Sequence, residues 1–268
     1  MRNLHKLFYK DYYKDVGFKI ETKNEESIVI SDKSPHNREL LDAKLWFIPK
    51  IETVTEKETF TLITQYPGLI TGVGIDHEAG IEGEFKLGLH FDYTYGMPVI
   101  YGSSVKGVLK TYFEDFAKDR FIEYFKQKGF SETQTKDFLK ELLYDVFDGE
   151  IMVLEKGKEG KMEKKKKKKP IFDRDTFFDA VIKKPNQKGK ILDSDTLCPH
   201  GNNPLKSPKP ITFLKIASGV TIEFRFKLVV STIGDKKVTQ DDKINIFREI
   251  LKTVGIGAKT NVGYGQFK

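Results

Sequence analysis

One cysteine, Cys198, and one tryptophan, Trp46, stand in the 268 residues. A lone cysteine excludes an internal disulfide and a multi-cysteine zinc site, and it points to a reducing compartment. No apolar run approaches the roughly 20 residues that a membrane span requires. The opening stretch, MRNLHKLFYKDYYKD, has no apolar core of the kind a secretory signal carries. These absences predict a soluble, cytoplasmic chain with no membrane partner. With 38% hydrophobic and 32% charged residues, it has enough apolar surface for a packed core.

Acidic residues are in deficit, 39 against 46 Lys and Arg, for a net charge of +7. That excess invites a nucleic-acid reading, but its distribution weakens it. Between Glu155 and Pro170, EKGKEGKMEKKKKKKP holds nine lysines against three glutamates, so six of the seven charges sit in one low-complexity run. Like charges repel and nothing apolar offsets the ordering entropy, so about 155–170 reads as a disordered insertion. The alternative is a tail that also holds phosphates.

The remaining order is mixed. Leu4, Leu7, Phe8 and Tyr12 are spaced for a short helix, and ETFTLITQYPGLITGVG alternates like a strand with a Pro-Gly break. Val105, Val108, Leu109, Tyr112, Phe113 and Phe116 predict a long helix with Ser103 as its N-cap. A second helix follows Ser131, with Phe138, Leu142 and Val146 on one stripe and a stop at Gly149. PIFDRDTFFDAVI reads as a strand, and five prolines make 185–210 a loop. ITFLKIASGVTIEFRFKLVV has two β-rich halves around Ala217, Ser218 and Gly219, a hairpin signal. A last helix from about Asp241 runs into GIGAKTNVGYGQFK.

Two segments carry candidate chemistry. A helix start presents unpaired amides and about half a positive charge, so Gly102, Ser103 and Ser104 can hold a phosphate while Lys106 and Lys110 add charge. The plainer alternative is a cap at Ser103 with solvated lysines. In the glycine-rich end, Gly255 and Gly257 precede Lys259, Thr260 and Asn261, where missing Cβ atoms let amides approach a ligand. GAKT is not a Walker loop, because the glycine before the lysine is missing and a helix precedes it where a strand is required. The alternative here is a turn feeding a last strand. Asp76, His77 and Glu78 are adjacent, and neighbours on a strand point to opposite faces, so no metal or cofactor is expected.

Taken in order, GLHFDYTYGMPVIYGSSVKGVLK, VFDGE, FFDAVI, CPHGNNP, PITFLKIASGVTIEFRF and VGIGAKTNVGYGQF resemble RAMP proteins of type III-B CRISPR (Cmr) effector complexes, most of all the terminal subunit, subunit six. The resemblance runs from about Thr59 to Lys268, leaving 1–58 as an N-terminal extension on or beside a single domain, 59–268. Tyr101 stands where the family often has proline. The resemblance implies an α+β, RRM-like or ferredoxin-like RAMP fold with insertions, whose glycine-rich loop lies against guide RNA. It further implies a non-catalytic scaffold that caps the backbone near the 3′ end of the guide. Its partners would be guide and target RNA and the other RAMP and small subunits. With it, RNA-backbone contact becomes the better reading of Gly102, Ser103, Ser104, Lys106, Lys110, Gly255, Gly257, Lys259, Thr260 and Asn261. The rival is a metal-independent RAMP endoribonuclease acting on CRISPR RNA, which needs a general base and acid. For that, His90 with Tyr95, or His200, are the candidates. Tyr93, Tyr95 and Tyr264 are candidates for base stacking.

Overall fold

The computed structural model describes residues 3–14, 34–72, 84–85, 89–156, 162–197 and 210–268. Its helices are α1 (Leu4–Tyr9), α2 (Ser34–Leu41), α3 (Gly102–Arg120), α4 (Ile122–Lys128), α5 (Glu132–Leu143) and α6 (Gln240–Val254). Its strands are β1 (Thr59–Ile63), β2 (Val99–Ile100), β3 (Glu150–Lys156), β4 (Met162–Lys168), β5 (Thr176–Phe177) and β6 (Ala180–Lys184). There follow β7 (Leu192–Leu197), β8 (Ile211–Ile216), β9 (Thr221–Lys227), β10 (Ser231–Ile233) and β11 (Lys236–Val238).

The central sheet runs β1-β9-β6-β2, antiparallel throughout. On the other edge of β1, Ile63 and Lys268 exchange backbone bonds of 3.2 and 3.0 Å. Counting only β1, β6, β9 and the closing C-terminal residues, the spatial order is fourth, first, third, second. Helix α3 lies between the first and second of these, and α6 between the third and fourth, which is the split βαβ arrangement of a ferredoxin-like domain. Alternation along the strands puts Phe60, Phe224 and Phe226 on one face, with Phe60 stacked on the other two at 5.4 and 5.7 Å. Phe247 of α6 packs on Phe226 at 5.2 Å and on Phe113 of α3 at 6.1 Å, so both long helices cover that face. An Arg120–Asp242 ion pair of 3.0 Å joins the end of α3 to the start of α6, so the two run antiparallel. The fold is α+β, as expected.

Local signals account for the ends of these elements. Ser131 accepts from the Gln134 amide and Gly149 closes the following π-helical turn in the left-handed region. Residues 3–14 join the main core: Leu4, Leu7, Phe8 and Tyr12 are buried, Phe8 meets Phe91 at 5.6 Å, and the Tyr9 hydroxyl donates to the Leu89 carbonyl. On the opposite sheet face, buried Arg225 donates to the carbonyls of Pro49 and Asp179, fastening the segment before β1 over the strands.

Four expectations need correction. The strand read over PIFDRDTFFDAVI is broken: Ile171–Asp173 is a 3-10 turn, β5 has two residues, and the sheet strand is Ala180–Lys184. The proline-rich stretch is not all loop, since β7 occupies Leu192–Leu197 and pairs with β8; residues 198–209 lie outside the described set. Strands β8 and β9 are not a hairpin. Buried Thr64 wedges between them, donating its hydroxyl to the Ala217 carbonyl and accepting from the Val220 amide, so the chain turns a corner from one sheet into another. Finally, most of the lysine run is a strand. Its ordering comes from partners that charge counting overlooks: Lys164 pairs with Glu141, the Lys166 ammonium lies 3.3 Å from the Tyr144 ring centre, and Lys169 reaches buried Asp145 at 2.6 Å. Residues 157–161 lie outside the described set.

Candidate nucleic-acid interface

Helix α3 begins two residues earlier than a cap at Ser103 implies. Tyr101 is its N-cap and supplies no side-chain bond, so Ser103 is the second helical residue and not the cap. The capping anion comes from across the sheet, because the Gly102 amide donates to the Asp179 carboxylate at 2.7 Å. A Cβ at Gly102 would lie 2.3 Å from the Phe177 carbonyl oxygen, so glycine is required here for chain-to-chain contact. Ser103 and Ser104 are exposed. Lys106 sits half-buried with its ammonium 5.8 Å from the Phe177 ring centre, and Lys110 is paired with Asp148 at 2.6 Å. A phosphate at this helix start would therefore meet two free serines and one available lysine, beside a fixed carboxylate.

The glycine-rich end is a folded turn held from beneath. Gly255, Gly257, Gly263 and Gly265 all have positive φ. A Cβ at Gly257 would come within 2.3 Å of the Ile70 carbonyl oxygen, and one at Gly265 within 1.8 Å of that of Ile256. The same close approaches carry the hydrogen bonds Ala258 to Ile70, Ile256 to Gly265 and Gly265 to Gly68. What faces outward is Lys259, at φ 60 and ψ 35 the one non-glycine residue with positive φ among the described residues. It heads the 3-10 turn Thr260–Val262, and its carbonyl accepts from Val262 and Tyr264. Lys259 and Asn261 are exposed, and the amides of Lys259, Thr260 and Asn261 donate to no other described residue.

A clamp that the sequence does not announce fixes this turn. Tyr264 donates its hydroxyl to Asp195 of β7 at 2.8 Å, and Lys215 of β8, itself buried, bonds the same carboxylate at 2.7 Å. Burial and the neighbouring carboxylate raise the Tyr264 hydroxyl above its ordinary range. Burial alone would raise Asp195, but the bonds from Lys215 and Tyr264 hold it below the usual carboxylate range. The three residues lie on separate strands and loops, so no local spacing reveals them.

No hydrogen bond or ring contact joins the turn directly to the first turn of α3 among the described residues. They are linked through an intermediary: Ile70 accepts from Ala258, Thr71 accepts from the His90 amide at 2.8 Å, and the His90 ring stacks on Tyr101. Burial lowers the His90 pKa, and its Nδ1 has no partner among the described residues. Tyr95 packs against Phe47 at 5.3 Å, and burial, then Asp92, push its hydroxyl up to about 12. Of the tyrosines considered for stacking, Tyr93 is 81% exposed while Tyr264 is buried. Asp76, His77, Glu78, Cys198 and His200 lie outside the described residues. No group of His, Cys, Asp or Glu among the described residues could hold a metal ion, and no described helix is long and apolar enough to cross a membrane.

Comparison with known proteins gave no match among curated sequences. Among solved structures, the chain is similar to one from the type III-B Cmr-beta complex bound to cognate target RNA, at 19% identity and a TM-score of 0.46. That match covers 78% of this chain and 57% of the other, so the chain spans little more than half of that relative's length. It is also similar to Cmr6 from Pyrococcus furiosus at 19% identity and a TM-score of 0.33, covering 78% of this chain and 96% of that one. A family model, that of the RAMP superfamily, matches residues 59–268, the whole stretch from β1 to the closing C-terminal residues. This chain, with its fourth-first-third-second sheet and glycine-rich closing turn, belongs to the RAMP superfamily.

Proposed function

We propose that this chain is a non-catalytic, RNA-binding scaffold subunit of a type III CRISPR RNA-guided complex, capping its backbone near the 3′ end of the guide. The observation that carries the reading is Lys259. A side chain held in the left-handed region costs on the order of 1–3 kcal/mol, and such strain persists where the surroundings impose it, often at a binding site. Here it holds an exposed lysine beside three amides that donate to no other described residue, donors of the kind that can seat a phosphate. Membership of the RAMP superfamily supports RNA as the source of that phosphate. Ser103, Ser104 and Lys106 form a second, weaker contact, and Gly255 and Gly257 act by shaping the turn.

The test is binding of a guide-length RNA to the purified chain. Lys259→Ala is expected to weaken it by about 1.5–3 kcal/mol, the loss of one charge-assisted contact. Equal affinity in wild type and variant would remove the turn from the interface. The endoribonuclease alternative is read from the same preparation: cleavage of CRISPR repeat RNA in EDTA, abolished by His90→Ala with affinity intact, would replace the scaffold reading.

A further inference from the structure

The lysine strand presents a second surface that the RNA reading does not use. Strands β3 and β4 form a two-stranded ribbon, and among the described residues no further strand pairs with either. Opposed residues share a face, so the register puts Glu150, Met152, Leu154, Lys164, Lys166 and Lys168 on one side. That side turns toward α5 and the π-helical turn, where Lys164 and Lys166 meet Glu141 and Tyr144. The opposite side carries Ile151, Val153 and Glu155 with Lys165 and Lys167, and Lys165 pairs with Glu155 at 3.9 Å. It opens into a groove whose floor continues through Pro170, Val229 and Val230, with Arg174 at its rim.

This floor is apolar yet uncovered. Ile151 is 36% exposed and Val230 51%. Contiguous exposed apolar side chains inside a charged rim mark a docking surface more often than a solvated one. The floor is also rigid. Val229 donates its amide to Asp175 and its carbonyl accepts from Lys243, two groups that form a fully buried ion pair. Groups already fixed lose little freedom on binding.

Charge and shape select the occupant. The groove is lined by Lys167, Lys168, Lys169 and Arg174 against one carboxylate, Asp173, so it repels a basic strand, including a second copy of this one, and admits an acidic chain. The apolar groups lining the groove are aliphatic and offer no ring on which a base could stack, so the floor suits aliphatic side chains better than nucleotides. We propose that this face docks an extended, acidic protein segment that places aliphatic side chains on Ile151, Val153 and Val230 and carboxylates against Lys167 and Lys168. The inference is independent of the RNA-binding turn.

Fluorescence anisotropy of the purified full chain tests it with three labelled probes. They are a peptide alternating glutamate and valine over roughly eight residues, a strand's length, its glutamate-glycine counterpart, and an oligouridylate. The valine peptide is expected to bind about tenfold more tightly than the glycine one, a difference of about 1.4 kcal/mol. Ile151→Asp and, separately, Val230→Asp should each abolish that preference and leave oligouridylate binding unchanged. Equal binding of the two peptides, or a preference that survives both substitutions, overturns the proposal. So does oligouridylate binding lost in both variants, which would assign the face to RNA. The exposure of Val230 keeps that variant folded, and an unchanged thermal transition verifies it.

Discussion

The imidazole of His90 lies stacked on the phenol ring of Tyr101, with 4.5 Å between centroids, and so sits at the first turn of α3. Burial lowers its pKa below the unperturbed value of 6.5. For a base depressed in the folded state, the unfolded chain binds the proton more readily. Stability is therefore full above about 6.5 and falls as pH drops through that value toward the folded pKa. His90→Gln removes this dependence. Melting temperatures measured at neutral and mildly acidic pH should draw closer together in the variant than in wild type, and an unchanged gap would show that His90 is not the titrating group.

The clamp from β7 to the glycine-rich turn predicts a different pH signature. Tyr264→Phe should destabilise the protein by about 1–2 kcal/mol at neutral pH, the value of a charge-assisted bond discounted for partial exposure of Asp195. Because the Asp195 pKa is depressed, this stabilisation is present above the usual carboxylate range and is lost as pH falls through the folded value. Wild type and variant should converge in acid. Hydrogen exchange of the bonded amides of Val262, Gly263 and Tyr264 should quicken in the variant; protection equal to wild type would mean that the turn does not depend on the clamp.

Periodicity and capping made the helices legible, because those signals are local: Ser131 with Gln134, the apolar stripe through Phe113, and Gly149 all act within a few residues. The corrected elements depend on contacts that span the chain. Thr64 separates β8 from β9 across more than 150 residues, and Lys169 is ordered by a carboxylate on another element. The candidate site was half legible. Lys259 and Asn261 stand exposed as a glycine-rich loop suggests, whereas Asp179 already occupies the Gly102 amide, which no residue near Gly102 announces.

Glycine substitutions separate steric from conformational roles. Gly257→Ala meets the Ile70 carbonyl and a φ of 96°, and backbone strain alone should cost about 1–3 kcal/mol. Gly107 lies within α3 with nothing within 4 Å of its missing Cβ. Gly107→Ala should stabilise by about 0.5–1 kcal/mol, the helix-propensity difference. Denaturant midpoints of the two variants should move in opposite directions; a shared direction would refute the packing described for the turn.

Removing one partner of the buried Lys243–Asp175 pair strands the other charge. Burial works against both ions, raising the Asp175 pKa and lowering that of Lys243, so each is kept charged by its partner. Lys243→Met should destabilise by about 3–5 kcal/mol, visible as a large fall in the melting temperature. A change below about 1 kcal/mol, typical of exposed pairs, would contradict its burial.

The pairing of Ile63 with Lys268 bears on how the protein is made. These residues stand about 200 positions apart, and contacts of such separation form late because a long loop must close first. While residues 255–268 are still within the ribosome, the outer edge of β1 is open, and α6 has no closing turn to follow it. The nascent chain thus carries an unpaired strand edge until synthesis passes residue 268, a window in which a chaperone or a neighbouring chain can reach it.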